Sequence, residues 1–141
     1  MSITYHDCYQ QKQEIEKNSF SPKEAYIRVL ISRGYYAAYS HSQELFKPNA
    51  PYKISIVRAN PITDKPYGSH EKFYESLMAD KDVNLNNIGK LLQKYHRLRK
   101  KSDYKLNQHI NDLDKKNAEK YLDECKKRID FFLVNGPIPY P

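Results

Sequence analysis

The sequence of 141 residues predicts an all-α fold, a helical bundle of about five helices with a long proline-containing loop after the second helix. Apolar side chains recur at three- and four-residue spacing in five segments, which is the period of an amphipathic helix. Helix-start signals precede several of these segments, and prolines interrupt the pattern between residues 47 and 69. The length suits one domain over residues 1–141, with its core at about 20–133 and an extended tail at 135–141.

The first helix is predicted over about residues 4–17. One of its faces carries side chains at roughly helical spacing, namely Tyr5, Cys8, Tyr9, Lys12 and Ile15. The next helix start is the clearest in the chain. Ser21 and Glu24 have the spacing of a capping box, and Pro22 occupies the first helical position, where its missing N–H costs nothing.

The second helix is predicted from Pro22 to about Phe46. Two apolar stripes cover most of its surface, and a helix that is apolar nearly all round is usually central in a bundle. We therefore expect the other helices to pack around it, and its small residues to let neighbouring backbones come close. These small residues are Gly34, Ala37 and Ala38.

Residues 47–69 form the long loop, because their four prolines forbid one continuous helix. The stretch YKISIVRA inside it alternates weakly, which suits a short strand or an extended arm. A loop of about 20 residues is long for a compact domain, and such loops are often functional or mobile. Three further helices are predicted, one capped by Ser69, one beginning at Asn84 or Asn86, and one from about Asp112 to Val134.

Composition restricts the class of protein. The 24 basic and 17 acidic residues give a net charge of +7, which permits binding to a polyanion without requiring it. The 13 tyrosines can stack on bases, and they can equally fill a helical core with the hydroxyl at the surface. No run approaches the roughly 18 apolar residues of a membrane span, and the N-terminus lacks the pattern of a secretory signal. We therefore expect a cytoplasmic protein without membrane contact.

Several kinds of site are not indicated by the sequence. Cys8 and Cys125 belong to no C-x-x-C pair and are predicted to be separate buried thiols. The five histidines form no H-x-x-x-H pair and no cluster with cysteine, so no metal site is predicted. The sequence also lacks a glycine-rich phosphate loop and a serine nucleophile elbow, and no cofactor is expected.

The candidate site lies in RLRKKSDY, residues 97–104, at the end of the fourth helix. On a helical wheel Arg99 lies on the apolar stripe, seven residues after Leu92. An arginine in an apolar seam is costly unless it is paired, and Asp103 lies at the i+4 spacing of a helical ion pair. The remaining cations of the stretch are expected to be solvated, and these are Arg97, Lys100 and Lys101.

Two interpretations of the Arg99–Asp103 pair remain open. In the first, the pair only orients two helices. In the second, Arg99 faces a groove and binds phosphate through its planar fork, and Tyr104 stacks on a base or donates its hydroxyl. The candidate nucleic-acid-binding residues are then Arg97, Arg99, Lys100, Lys101 and Tyr104.

Three stretches, taken together, resemble HEPN-domain proteins. Residues 32–46, SRGYYAAYSHSQELF, resemble the first core helix of that family, which often reads S-x-x-Y-Y-A-x-F/Y. Residues 89–106, GKLLQKYHRLRKKSDYKL, resemble a later helix that ends in R-x-x-x-D-Y in one branch of the family. Between them, YGSHEKFYESLM resembles a histidine-bearing middle segment, and the resemblance covers roughly residues 20–133 in the same order.

The resemblance implies an α-helical bundle, usually a homodimer, in prokaryotic toxin–antitoxin or antiphage systems. Many members are metal-independent ribonucleases in which an Arg-x4–6-His motif from each protomer meets at the dimer cleft. The histidine position of that motif, counted from Arg99, is Tyr104, and an unperturbed tyrosine with a pKa of about 10 is a poor base at neutral pH. On this resemblance Arg99 and Tyr104 are the candidate catalytic residues, with Asp103 orienting them. His70 or His41 could reach the cleft from another helix.

Three functions are compatible with these observations. The first is a dimeric HEPN-like module of a prokaryotic defence or toxin–antitoxin system, which binds RNA, a nucleotide or a partner protein from the same operon at a basic dimer cleft. The second is a metal-independent ribonuclease toxin with an atypical active site. The third is a structural subunit of a defence complex, whose basic face meets an acidic partner.

Overall fold

The computed structural model describes residues 4–17 and 23–141, and these ranges form five α-helices. The helices are α1 (Tyr5–Lys17), α2 (Lys23–Ser42), α3 (Ser69–Ala79), α4 (Val83–Tyr104) and α5 (Asp112–Asn135). The described ranges contain no β-strand and only one isolated β-bridge, between Ala59 and Pro66. The prediction of an all-α helical bundle is therefore confirmed. None of these five helices combines the length and apolar character that crossing a membrane requires.

Helix α2 is the central helix, as its two apolar stripes predict. It packs against α1, α4 and α5, while α3 packs on α4. The close approach of α2 and α4 depends on Gly34, because a Cβ there would clash with the hydroxyl oxygen of the buried Tyr95. A second close approach, between α3 and α4, was not predicted. It depends on Gly89, whose added Cβ would lie 2.8 Å from the carbonyl oxygen of Tyr74.

The end of α2 differs from the prediction. The α-helix stops at Ser42, and a 3₁₀ turn continues over Gln43–Phe46. Lys47 is extended, with a ψ of 152°, because Pro48 disfavours the helical conformation of the residue before it. The predicted start of this helix, with Ser21 as the cap and Pro22 at the first position, lies outside the described residues.

The starts of the later helices are set by their caps. The prediction of Ser69 as a cap is wrong, because α3 begins at Ser69 itself with Gly68 as the N-cap. The carboxylate of Asp82 accepts a hydrogen bond from the N–H of Leu85 at 2.9 Å, so α4 begins at Val83, before the predicted asparagines. Helix α5 begins at Asp112 as predicted, behind a reciprocal capping box of Asn111 and Asp114.

The long loop is an extended arm attached to the bundle. Ile54 is buried in the core, and the ring of Tyr52 lies edge-on to Phe132 with centroids 6.0 Å apart. The N–H of Val57 donates to Oγ of Ser76 in α3 at 2.8 Å. Of the two predicted conformations, YKISIVRA therefore adopts the extended arm, since it forms no strand.

The chain after α5 bends at Pro137 and Ile138, where the N–H of Ile138 donates to the carbonyl oxygen of Gly136 at 2.9 Å, and it lies against the bundle. The ring of Tyr140 packs edge-on against Phe131, and the guanidinium carbon of Arg128 lies 4.4 Å from the Tyr140 ring centroid. Cys8 and Cys125 are both free thiols; Cys125 is buried as predicted, whereas Cys8 is only half-buried.

Candidate functional site

Arg99 lies on the buried face of α4, where the helical wheel places it. Its residue surface is 8% exposed, and Leu92, Tyr95 and Ser102 on the same face are also buried. A guanidinium is tolerated in such a position only when its charge and its N–H donors are compensated. The partners of Arg99 therefore show how the site is built.

Three side chains surround the guanidinium of Arg99. Its Nε lies 2.8 Å from Oδ2 of Asp103, which is the predicted i,i+4 ion pair, although the N–H is not aligned for a hydrogen bond. Its Nη2 donates to the hydroxyl of Tyr36 and, at 3.3 Å, to that of Tyr104. Its central carbon lies 4.9 Å from the ring centroid of Tyr36 and 5.2 Å from that of Tyr104, within the range of cation–π attraction.

These partners keep Arg99 charged. Burial alone would lower the pKa of the guanidinium, but the neighbouring Tyr36, Asp103 and Tyr104 outweigh it and raise that pKa above its usual value. Asp103 is itself held by α2, because Oγ of Ser32 donates to its Oδ2 at 3.2 Å. The pair thus joins α4 to α2, as the structural interpretation predicts. It does not use every donor of the guanidinium, since none of the hydrogen bonds within residues 4–17 and 23–141 involves Nη1.

Tyr104 is the last residue of α4 and is 68% exposed. The preceding turn is fixed by Arg28 of α2, whose Nη1 donates to the carbonyl oxygens of Lys101 at 3.1 Å and Ser102 at 2.8 Å. Arg28 is held in turn by Glu24, one turn earlier on α2, at 3.0 Å. Sequence reasoning missed Arg28. Its i,i+4 spacing from Glu24 was visible, but its main acceptors lie more than 70 residues further along the chain.

Two histidines lie beside this group, and only one of them was proposed from the sequence. His70 of α3 and His96 of α4 stack with ring centroids 4.9 Å apart and an interplanar angle of 15°. Nδ1 of His70 lies 2.8 Å from the hydroxyl of Tyr35, and the His70 ring lies 6.2 Å from that of Tyr36, which covers Arg99. Nδ1 of His96 lies 3.4 Å from the hydroxyl of Tyr74.

The surroundings of both imidazoles favour the neutral form. Burial, and then the positive charges of Arg99 and Lys100, lower the pKa of His70. Burial, His70 and the same two cations lower the pKa of His96 to about 4. His70 is the more accessible of the two, since it is half-buried whereas His96 is buried. A neutral imidazole near a guanidinium can accept a proton, and the guanidinium can stabilise negative charge on a phosphate.

The other predicted residues occupy different surroundings. Arg97 and Lys100 are exposed, as predicted. The prediction for Lys101 is wrong, because it is half-buried with its Nζ 3.5 Å from Oδ2 of Asp114 in α5. His41 belongs to a separate group, where Nδ1 lies 3.0 Å from the hydroxyl of Tyr9 and Nε2 lies 2.9 Å from Oδ1 of Asp130.

No family model, curated protein or solved structure matches this chain. The resemblance to HEPN-domain proteins therefore stays a prediction from the sequence motifs. Within the described part of the chain, no group of three or more histidine, cysteine or acidic side chains is arranged to hold a metal ion.

Proposed function

We propose that this protein is an RNA-binding module, HEPN-like and dimeric, of a prokaryotic defence or toxin–antitoxin system. The single observation that carries the proposal is the arrangement of Arg99 and Tyr104. Within the described ranges, Nη1 of this buried guanidinium makes no hydrogen bond, and the guanidinium lies directly beside the exposed ring of Tyr104.

This arrangement suits a nucleotide. Nη1 of Arg99 would donate to a phosphate oxygen, while Asp103 and Tyr36 keep the guanidinium in place. The ring of Tyr104 would stack on an unpaired base, a contact that any base can make. The exposed Lys100 and Arg97 would add positive potential nearby.

The dimer part of the proposal rests on the resemblance alone. A second copy of the chain, or a partner protein from the same operon, would meet the surface around the Arg99 site.

The test of RNA binding uses Tyr104, because this side chain is exposed and its replacement leaves the core intact. We expect Tyr104→Ala to weaken binding of a labelled single-stranded RNA by about 5- to 150-fold, since stacking contributes about 1–3 kcal/mol per base. Fluorescence anisotropy at two salt concentrations measures the affinity of the wild type and of each variant for this RNA. Tyr140→Ala is the control, because that ring lies in a groove with residues 81–84, near the opposite end of α4. Equal affinities of Tyr104→Ala and wild type would contradict the proposal.

A second candidate function is metal-independent cleavage of RNA, and the position of His70 favours it. Its half-buried imidazole lies 6.2 Å, ring to ring, from Tyr36, which contacts Arg99, and burial together with the charge of Arg99 lowers its pKa, so it would act as the base that Tyr104 cannot supply. We expect cleavage of labelled RNA in the presence of EDTA, strongly reduced in His70→Gln and retained in the control His109→Gln, which changes an exposed histidine. If His70→Gln and wild type cleave equally in a nuclease-free preparation, this function is wrong.

A further inference from the structure

We propose that the solvent face of α4 is a second RNA-binding surface, which binds the phosphate backbone of an RNA duplex. The choice of RNA rests on the proposed function. The part of this surface that the test below changes, Lys90 and Lys94, is separate from the Arg99 site, because Arg99 lies on the opposite, buried face of the same helix; Arg97 adds positive potential to both.

The solvent face of α4 carries cations at helical spacing. Lys90, Lys94, Arg97 and Lys101 follow one another at i, i+4, i+7 and i+11, so their side chains project from one side of the helix. Lys90, Lys94 and Arg97 are exposed, and none of the three forms an ion pair with any residue in the described ranges. No acidic residue occurs in α4 before Asp103.

Helix α5 carries a similar row that an acid interrupts. Its Lys116 and Lys120 are also exposed at i,i+4 spacing, but Asp123 follows at i+7, where the α4 row has Arg97, and it pairs with Lys127 at 2.9 Å. Three further cations of α5 pair with acids four residues away, and the pairs are Lys115–Glu119, Lys126–Asp130 and Arg128–Glu124. On α4, Lys90 and Lys94 are a like-charge pair at the same i,i+4 spacing. Such pairs destabilise a helix, so the row on α4 costs stability unless an anion covers it.

Acids from other helices compensate only the C-terminal half of the row. Asp114 of α5 pairs with Lys101 at 3.5 Å. Glu75 of α3 lies near Arg97. Burial raises the pKa of the Glu75 carboxyl, and the charge of Arg97 opposes this rise. Lys90 and Lys94 have no such neighbour among the described acids, so they carry the uncompensated charge.

The shape and composition of the face indicate a duplex. From Lys90 to Lys101 the row is about 16 Å long, at about 1.5 Å of rise per residue. The α4 residues of this stretch include no exposed aromatic side chain, since Tyr95 is buried. Single-strand sites combine cations with aromatic rings that stack on bases, whereas proteins bind duplex RNA mainly through its backbone. A straight row of cations without rings therefore fits the backbone of a duplex.

The test compares two double variants that remove the same charge. Lys90→Gln/Lys94→Gln changes the α4 row, and Lys116→Gln/Lys120→Gln changes two exposed lysines at the same spacing on α5. The probes are a blunt-ended RNA duplex and a single-stranded RNA, both titrated between about 50 and 200 mM salt. For the duplex, we expect the α4 variant to reduce the slope of log K against log salt by about 1.8, because each phosphate that a lysine neutralises contributes about 0.9 to that slope. The α5 variant should keep the wild-type slope.

The possible outcomes separate the two proposals. Equal reductions of the slope in both double variants would mean that only net charge matters and would overturn the α4 surface. Binding of single-stranded RNA through Tyr104, without binding of the duplex, would overturn the α4 surface and support the proposed function. Duplex binding that is weakened only in the α4 variant, with Tyr104→Ala binding single-stranded RNA as wild type does, would support the α4 surface and contradict the Tyr104 site. Binding of neither probe would contradict both.

Discussion

Replacing Asp103 by asparagine removes the negative charge beside Arg99 while keeping the size of the side chain. In the wild type, Oδ2 of Asp103 lies 2.8 Å from Nε of Arg99 and 3.2 Å from Oγ of Ser32. At an effective dielectric constant of about 20, two unit charges at the shorter distance attract by about 6 kcal/mol. Desolvation of the two groups offsets most of this gain. Because the guanidinium stays buried without its anion, we expect Asp103→Asn to lower the free energy of unfolding by about 2 kcal/mol.

Urea unfolding of a double-mutant cycle measures this effect. Arg99→Met removes the charge from the other side, and the coupling energy between the two substitutions is expected to be about 1–3 kcal/mol. The matched control is Asp123→Asn, which breaks an exposed i,i+4 pair of 2.9 Å with Lys127 and should cost less than about 1 kcal/mol. If the effects of Asp103→Asn and Arg99→Met add to within about 0.5 kcal/mol, the two side chains are not coupled and the reasoning is refuted.

Three other substitutions test the packing, the helix end and the pH dependence. Gly89→Ala is expected to lower the free energy of unfolding by about 1–3 kcal/mol in urea, because its Cβ would lie 2.8 Å from the carbonyl oxygen of Tyr74. Arg28→Met removes the donor to the last carbonyls of α4, so amide hydrogen exchange over residues 101–105 should accelerate by about tenfold. Burial and His70 lower the pKa of folded His96 to about 4, so the unfolded state, with a pKa of about 6.5, binds the proton more strongly. The contribution of His96 to the free energy of unfolding is therefore fully present above a pH of about 6.5 and is lost as the pH falls towards 4. His96→Phe should reduce the change in the urea midpoint between these two pH values.

The packing and helix-end predictions each have a control at an exposed position. Lys90→Ala, next to Gly89, should change stability by less than about 0.5 kcal/mol, and a similar cost for both variants would contradict the packing argument. Arg33→Met on α2 should leave the exchange rates of α4 unchanged; equal acceleration would show that Arg28 is not the cap. For the pH dependence, an unchanged dependence in His96→Phe would assign the titration to other groups.

The sequence was informative about the helices because the signals that define them are local. The spacing of apolar residues along α4 and the capping residues around Asp112 act within one or two turns. The same local geometry places Arg99, Asp103 and Tyr104 together, since all three lie within five residues on one helix. The boundaries were less certain, because Gly68 and Asp82 compete with neighbouring residues as caps and only the folded backbone selects one of them.

The partners of Arg99 could not be predicted in the same way. Tyr36 is 63 residues away along the chain, and the acceptors of Arg28 are 73 and 74 residues away. The stacking of His70 on His96 depends on the angle between α3 and α4, and hence on the close approach at Gly89. No periodicity in the sequence contains this information, because it arises from the packing of side chains from several helices.

By itself, the sequence determined an all-α bundle, the central position of α2, and a charged pair on the apolar stripe of α4. These properties follow from periods and spacings of a few residues. Only the tertiary structure decided that Arg99 is enclosed by Tyr36 and Tyr104, that His70 and His96 lie beside it in surroundings that favour their neutral form, and that Lys101 is paired. Burial and proximity set the pKa and the free donors of these groups, and both depend on which helices meet in three dimensions.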